Sequence, residues 1–344
     1  MKKLSVKDFV SGMKLETDVY NKNGAIILPK ETELTPKHIE LLQSWGIVYA
    51  KEKVKKDKNF FMDQKELRKK FSASKDLISN FMKKIKYSDD LEIGKIENIT
   101  EELLTYTLST RNHASLINEM KSKDSYTFQH SMNVAVYSSL IGKWLNYDLD
   151  TIKELSMAAL LHDIGKMKVP ETILNKPTKL SDEEFEQIKK HPEYGYEIIF
   201  NTKGLGKNIA FAILQHHERT DGSGYPLGLK EDKITDFAKI IAVADTFDAM
   251  TSERSYDQRY SPFDALNEIK AGAFKNLDPK ISLLFIDNIL SFFVGSNVVL
   301  NTGEKGEIVY FYKEDLHNPV IRTDHEIIDL SKEDNKELAD VLIF

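Results

Sequence analysis

From about Asn98 to Phe293 nearly every segment of the chain repeats its apolar residues at a 3.6-residue period, and strand signals are scarce. Such a run predicts an all-α body, because helices with one apolar stripe each must bury that stripe against one another. Several helix starts are chemically marked. Ser181-Asp182-Glu183-Glu184 forms a capping-box pattern ahead of Phe185 and Ile188, and Ser261-Pro262 opens the helix carrying Ala265, Leu266 and Ile269.

The flanks follow other rules. Val19-Tyr20, the turn run Asn21-Lys22-Asn23-Gly24 and Ala25-Ile26-Ile27-Leu28 read as a hairpin. Thr35-Pro36 opens a short helix, and Ile47-Val48-Tyr49 can return as a strand, so residues 1–52 form a small α+β module. Residues 53–97 are a charged linker whose segment Gln64–Lys86 has helical spacing; a solvated helix is the plain reading and a dimerising one the sharper. After Gly295 the pattern alternates through Val298-Val299-Leu300, Glu307-Ile308-Val309-Tyr310 and Pro319-Val320-Ile321, which predicts a β-rich, barrel-like tail over 295–344. The fold class is therefore mainly α, a helical body over 98–294 with small appendages at both ends.

Composition removes several function classes. The chain has no cysteine, so disulfides, thiol nucleophiles and thiolate-held zinc are excluded, and any metal must sit on nitrogen and oxygen. A formal net charge of −6 argues against a surface for polymeric nucleic acid. The start, Met1 to Asp8, lacks an apolar core of signal-peptide length, and Leu283–Val294 is interrupted by Asp287 and Asn288; a cytoplasmic protein without a membrane span is expected.

Of nine histidines, His130, His162, His191, His216 and His217 fall between residues 130 and 217 of the helical body. Any one alone reads as an ordinary core or surface histidine; with Asp163 and Asp245 they make a candidate metal set. His162-Asp163 ends an apolar helix, and neighbours on a helix point about 100° apart, so the pair can serve adjacent metals. Lys166, three residues on, returns to the face of Asp163 and can meet a phosphate oxygen. His216-His217 runs into Glu218-Arg219-Thr220-Asp221-Gly222-Ser223-Gly224-Tyr225-Pro226, a dense set of turn formers that predicts a loop above the site. Asp245 and Asp248 share a helix, where an apolar setting makes a bare Asp245 costly without a cation. His38, His113, His317 and His325 are expected to have solvent or packing roles.

At His162-Asp163 the chain resembles the HD superfamily of metal-dependent phosphohydrolases, and the run ending Gly224-Tyr225-Pro226 narrows the resemblance to the HD-GYP kind. It continues through His191-Pro192-Glu193-Tyr194-Gly195 and Ala244-Asp245-Thr246-Phe247-Asp248-Ala249-Met250-Thr251-Ser252. The resemblance implies that residues 98–294 are a catalytic domain hydrolysing cyclic di-GMP to pGpG or GMP by attack of a hydroxide held between two metals. It implies His130, His162, Asp163, His191, His216, His217 and Asp245 as ligands, with Asp163 bridging. Lys166 would meet the scissile phosphate, and Tyr225, Asp248 and Arg254 the substrate. Two divalent ions are expected, iron or manganese before nickel or zinc. A homodimer and signalling partners at the Gly224-Tyr225-Pro226 loop are the expected assemblies. Two departures stand out: Tyr126 replaces a glutamate that holds a third metal in some members, and Asp257 replaces a basic residue, with Arg259 nearby to compensate. The alternatives are the same chemistry on the hybrid cyclic GMP-AMP, and an adaptor that binds a cyclic dinucleotide without cleaving it.

Overall fold

The computed structural model describes residues 93–109, 126–252, 261–333 and 335–342, with residues 12, 19–20, 26–28, 32–36, 38 and 39 near the N-terminus. The expected strand at Ile47-Val48-Tyr49, the helix Gln64–Lys86, His113, Arg254, Asp257 and Arg259 lie outside the described residues. Two compact units emerge, residues 62–288 and residues 1–61 with 289–344.

The helical unit contains α1 Ile93–Ser109, α2 Tyr126–Trp144, α3 Leu149–Leu161, α4 Glu171–Leu174, α5 Asp182–Ile188, α6 His191–Phe200, α7 Lys207–Gln215, α8 Asp236–Thr251, α9 Pro262–Ala273 and most of α10 Pro279–Phe293, with a 3₁₀ turn at Ile164–Lys168 after α3. Helix α2 is buried on every side from Gln129 to Gly142, as befits a run of Ser, Ala, Val and Gly with no charge until Lys143. It packs against α1, α3 and α8, and α7 packs against α3, α6 and α8. Caps fix where helices begin. Asp148 accepts the Thr151 amide at 2.8 Å to start α3, Ser181 with Glu184 completes the anticipated capping box, and Ser261 with Asp264 forms a second.

Three rings lock the helices that carry the site. Tyr137 of α2, Phe247 of α8 and Phe285 of α10 meet edge to face, with centroids 5.1 Å apart for Tyr137–Phe247 and Phe247–Phe285. Such pairs add about 0.5–1.5 kcal/mol each beyond their buried area. Their shape fixes the rotation of α8, so its acidic residues one turn apart face α2.

In the second unit, β1 Val19–Tyr20 pairs antiparallel with β2 Ile26–Leu28 as the hairpin expected. The strands β3 Asn297–Leu300, β4 Lys305–Tyr310, β5 Val320–Arg322, β6 Ile327–Asp329 and β7 Leu338–Leu342 form one antiparallel sheet ordered β6-β5-β4-β3-β7. Among the described residues β6 and β7 do not pair, so the sheet is open and the barrel-like expectation is corrected. Val19, Leu28 and Leu34 share a core with Val309, Val320 and Ile327, so segments from the two ends of the chain pack as one body. Neither end buries enough apolar surface alone, which is the reason to pool it. No helix among the described residues is long and apolar enough to cross a membrane.

Candidate metal centre

Three of the histidines arrive at the centre from helix ends. His162 caps α3, His216 caps α7, and His191 opens α6 directly after α5. Each turns Nδ1 onto a carbonyl three residues back: His162 to Ala159 at 2.8 Å, His191 to Ile188 at 2.8 Å and His216 to Ile213 at 2.7 Å. Carbonyls of a last turn lack the amide four residues on that a continuing helix supplies, so they can accept Nδ1–H and leave Nε2 with its lone pair outward. Gly165 makes the approach of α6 feasible, since a Cβ there would sit 1.9 Å from the His191 oxygen.

Asp163 lies between these imidazoles. Its Oδ1 is 3.4 Å from His191 Nε2, and its Oδ2 is 3.4 Å from His162 Nε2 and 3.8 Å from His130 Nε2. Asp245 Oδ1 stands 3.1 Å from His130 Nε2 and 4.0 Å from His162 Nε2. The donors fall into two groups, Asp163 with His191, His216 and His217, and His130 with His162 and Asp245, the ligand atoms within each lying within 4.8 Å of one another. Ligands at about 2.0–2.2 Å from one cation are separated by up to about 4.4 Å, so both groups suit a divalent metal after slight contraction. Among the described residues, the buried Nε2 of His162 and Oδ1 of Asp163 have no hydrogen-bond partner. Such atoms are costly unless something binds them.

Charge agrees with that fit. Burial pushes His191 down to about 4, and burial likewise holds His216 and His217 well below the ordinary histidine range, so all three are neutral donors. Burial would raise Asp163, but Lys166 and the surrounding histidines outweigh it and hold the carboxyl well below the usual range; for Asp245 the same burial is outweighed chiefly by His130. Both carboxylates are ionised.

At the rim, Lys166 Nζ reaches Asp163 Oδ2 from a position 24% exposed. The Tyr225 ring lies 4.6 Å from that of His217 and tilts 31° to it, and burial raises its phenol, which stays a neutral donor. One feature of its loop escaped the sequence reading. Glu218, 3% exposed, points away from the histidines and accepts the amides of Leu227 at 2.7 Å and Leu229 at 2.8 Å. Gly224 has no room for a side chain, because a Cβ would come 2.4 Å from the Arg219 nitrogen. The turn-rich composition hinted at a loop but not at a carboxylate staple within it.

All seven expected ligands therefore come together, with Lys166 and Tyr225 beside them. Asp248 differs from expectation. It is 1% exposed and bonded to His130, Asn133 and Ser252, and helix phase turns it inward toward α2.

The helical bundle brings two adjoining histidine and aspartate groups together, an arrangement able to hold divalent metal. Residues 114–281, just under half of the chain, match the family model described as HD domain. The chain is 30% identical over 251 residues to a cyclic di-GMP phosphodiesterase of Pseudomonas aeruginosa, covering 73% of this chain and 60% of that protein. It is 39% identical over 160 residues to a 3'3'-cGAMP-specific phosphodiesterase of Vibrio cholerae, covering 46% of this chain and 34% of that protein. The chain thus spans less than two thirds of either relative. A solved HDG"Y"P protein from Bdellovibrio bacteriovorus shares the fold at a TM-score of 0.55 and 16% identity, over 84% of this chain and 99% of that one.

Proposed function

We propose that the chain is a phosphodiesterase of the HD-GYP kind, cleaving cyclic di-GMP to pGpG or GMP at a two-metal centre. The observation that carries this is the division of one buried carboxylate, Asp163, between two groups of imidazoles, with Oδ1 and Oδ2 facing opposite groups. His130, His162 and Asp245 would hold one ion and His191, His216 and His217 the other, with Asp163 shared. Nitrogen and oxygen donors without thiolate suit iron or manganese, and also nickel or zinc. A bound pair of divalent ions supplies an acidified water and neutralises phosphate charge. Lys166, a cation at the rim, leaves Asp163 to meet a non-bridging phosphate oxygen, and Tyr225 lines the approach as a hydrogen-bond donor. Arg254 belongs to the substrate contacts in this reading.

The names of the relatives support a cyclic dinucleotide as substrate, and the Vibrio cholerae protein makes the hybrid cyclic GMP-AMP the second candidate. A homodimer through the linker and partners docking on the Gly224-Tyr225-Pro226 loop accompany the reading, and light scattering and loop variants test them. The decisive experiment loads the purified chain anaerobically with ferrous iron or with manganese and follows a panel of cyclic dinucleotides by product identification. Turnover of cyclic di-GMP that disappears in a His162→Ala, Asp163→Ala double variant is expected. Binding of the dinucleotide with no turnover under any metal would replace the enzyme by an adaptor.

A further inference from the structure

One histidine of the set is oriented differently from those at helix ends. His130 is the fifth residue of α2, where the backbone carbonyls belong to the helix ladder and none is spare. Its Nδ1 instead meets Oδ2 of Asp248, 118 residues away on α8, at 2.7 Å. Asp248 is itself fixed: Oδ1 accepts Asn133 Nδ2 at 2.7 Å, Oδ2 also accepts Ser252 Oγ at 3.1 Å, and Asn133 Oδ1 accepts Gln129 Nε2 at 2.8 Å. This chain of buried bonds has no counterpart at His162, His191 or His216, whose Nδ1 atoms meet neutral carbonyls.

The difference has an electrostatic consequence. A carbonyl selects the tautomer, whereas a carboxylate also makes the far nitrogen more basic and adds a negative charge near the cation. Around His130 and His162 stand Asp245 Oδ1, Asp163 Oδ2 and, behind His130, Asp248. In the group of His191, His216 and His217 the one carboxylate among the described residues is Asp163, with Asp245 acting on His217 from the other group. Oxygen-rich, negative surroundings suit a hard cation, and three neutral imidazoles suit one that favours nitrogen.

We propose that Asp248 is a positioning residue for His130, and that it makes the two metal positions unequal, the His130, His162 and Asp245 position holding a hard divalent cation more tightly than the position of His191, His216 and His217. This rests on the reading of the seven side chains as ligands. The test titrates manganese into the full chain, with free ion followed by electron paramagnetic resonance. Two steps are expected in the unaltered protein. Asp248→Asn should weaken the tighter step by about 10- to 100-fold and leave the other in place. His217→Ala should do the reverse, which assigns each step to its position. Ser252→Ala keeps the carboxylate and removes one of its bonds, a smaller disturbance to the packing, and it should weaken the tighter step a few-fold. Two equal steps in the unaltered protein, no manganese binding, or an Asp248→Asn or Ser252→Ala effect absent from the tighter step would overturn the inference. A chain that binds two ions unequally and hydrolyses nothing keeps this inference and removes the proposed activity; turnover with two equal positions does the opposite.

Discussion

The ammonium of Lys166 rests 2.5 Å from Oδ2 of Asp163, one helical turn behind it, so a rim cation holds a carboxylate that also faces two histidines. Lys166→Met removes that charge while sparing every nitrogen ligand. The metal-free variant should be less stable, by about 1–2 kcal/mol after allowance for the exposure of Lys166, because Asp163 loses a charged partner. Adding manganese should close the gap, and turnover should fall by about 10²-fold or more with metal content unchanged. Elemental analysis with urea unfolding, with and without metal, reads both; full turnover in the variant removes Lys166 from the proposed mechanism.

Gly165 tests how closely two backbones must approach. In Gly165→Ala the new Cβ meets His191 O at 1.9 Å and Gly195 N at 2.5 Å, atoms that move only if α6 moves. A loss of about 2–4 kcal/mol in unfolding free energy is expected, together with lower metal occupancy, since His191 travels with α6. An alanine variant with unaltered stability and metal content would show that the contact is looser than drawn.

Glu218 tests whether the loop matters to substrate and not to metal. Glu218→Gln replaces one of two acceptor oxygens with an NH₂ group that cannot take the Leu227 or Leu229 amide. About 1–3 kcal/mol of stability should be lost. KM should rise more than kcat falls, because Tyr225 moves while the histidines do not. Steady-state kinetics beside metal analysis decides the point, and reduced metal content with unchanged KM contradicts it.

Acid should unfold the metal-free protein through its neutral histidines. Unfolded His191 takes a proton near 6.5 and folded His191 only near 4, so between those values the unfolded state binds more protons and stability rises with pH. Going from above 6.5 down to 4 should cost about 3 kcal/mol from His191 alone, with His216 and His217 adding in the same direction. His130, raised by Asp245 and Asp248 against its burial, opposes this, because its contribution is present at low pH and lost as pH rises through its folded value. Asp163 and Asp245, held low, lose theirs only below the ordinary carboxylate range. Unfolding curves at a series of pH values measure the slope, which His191→Ala should flatten; a flat profile in the unaltered protein contradicts neutral burial.

The periodicity of residues 98–293 determined a helical body by itself, because a 3.6-residue apolar rhythm has one means of burial, and the caps at Ser181 and Ser261 are local hydrogen bonds written in adjacent residues. The seven candidate ligands were legible as residue types in an unusual concentration. Which nitrogen each histidine turns inward was not, since that depends on spare carbonyls at helix ends. The sequence placed Asp248 with the substrate; the rotation of α8, set by Phe247 against Tyr137 and Phe285, turned it onto His130. Likewise the hairpin and the tail read as separate appendages, while Val19, Leu28 and Leu34 pack with Val309, Val320 and Ile327. Local patterns specify elements because their causes lie within a few residues. Orientation and partnership come from contacts between residues far apart in the chain, and only the packed fold decides those.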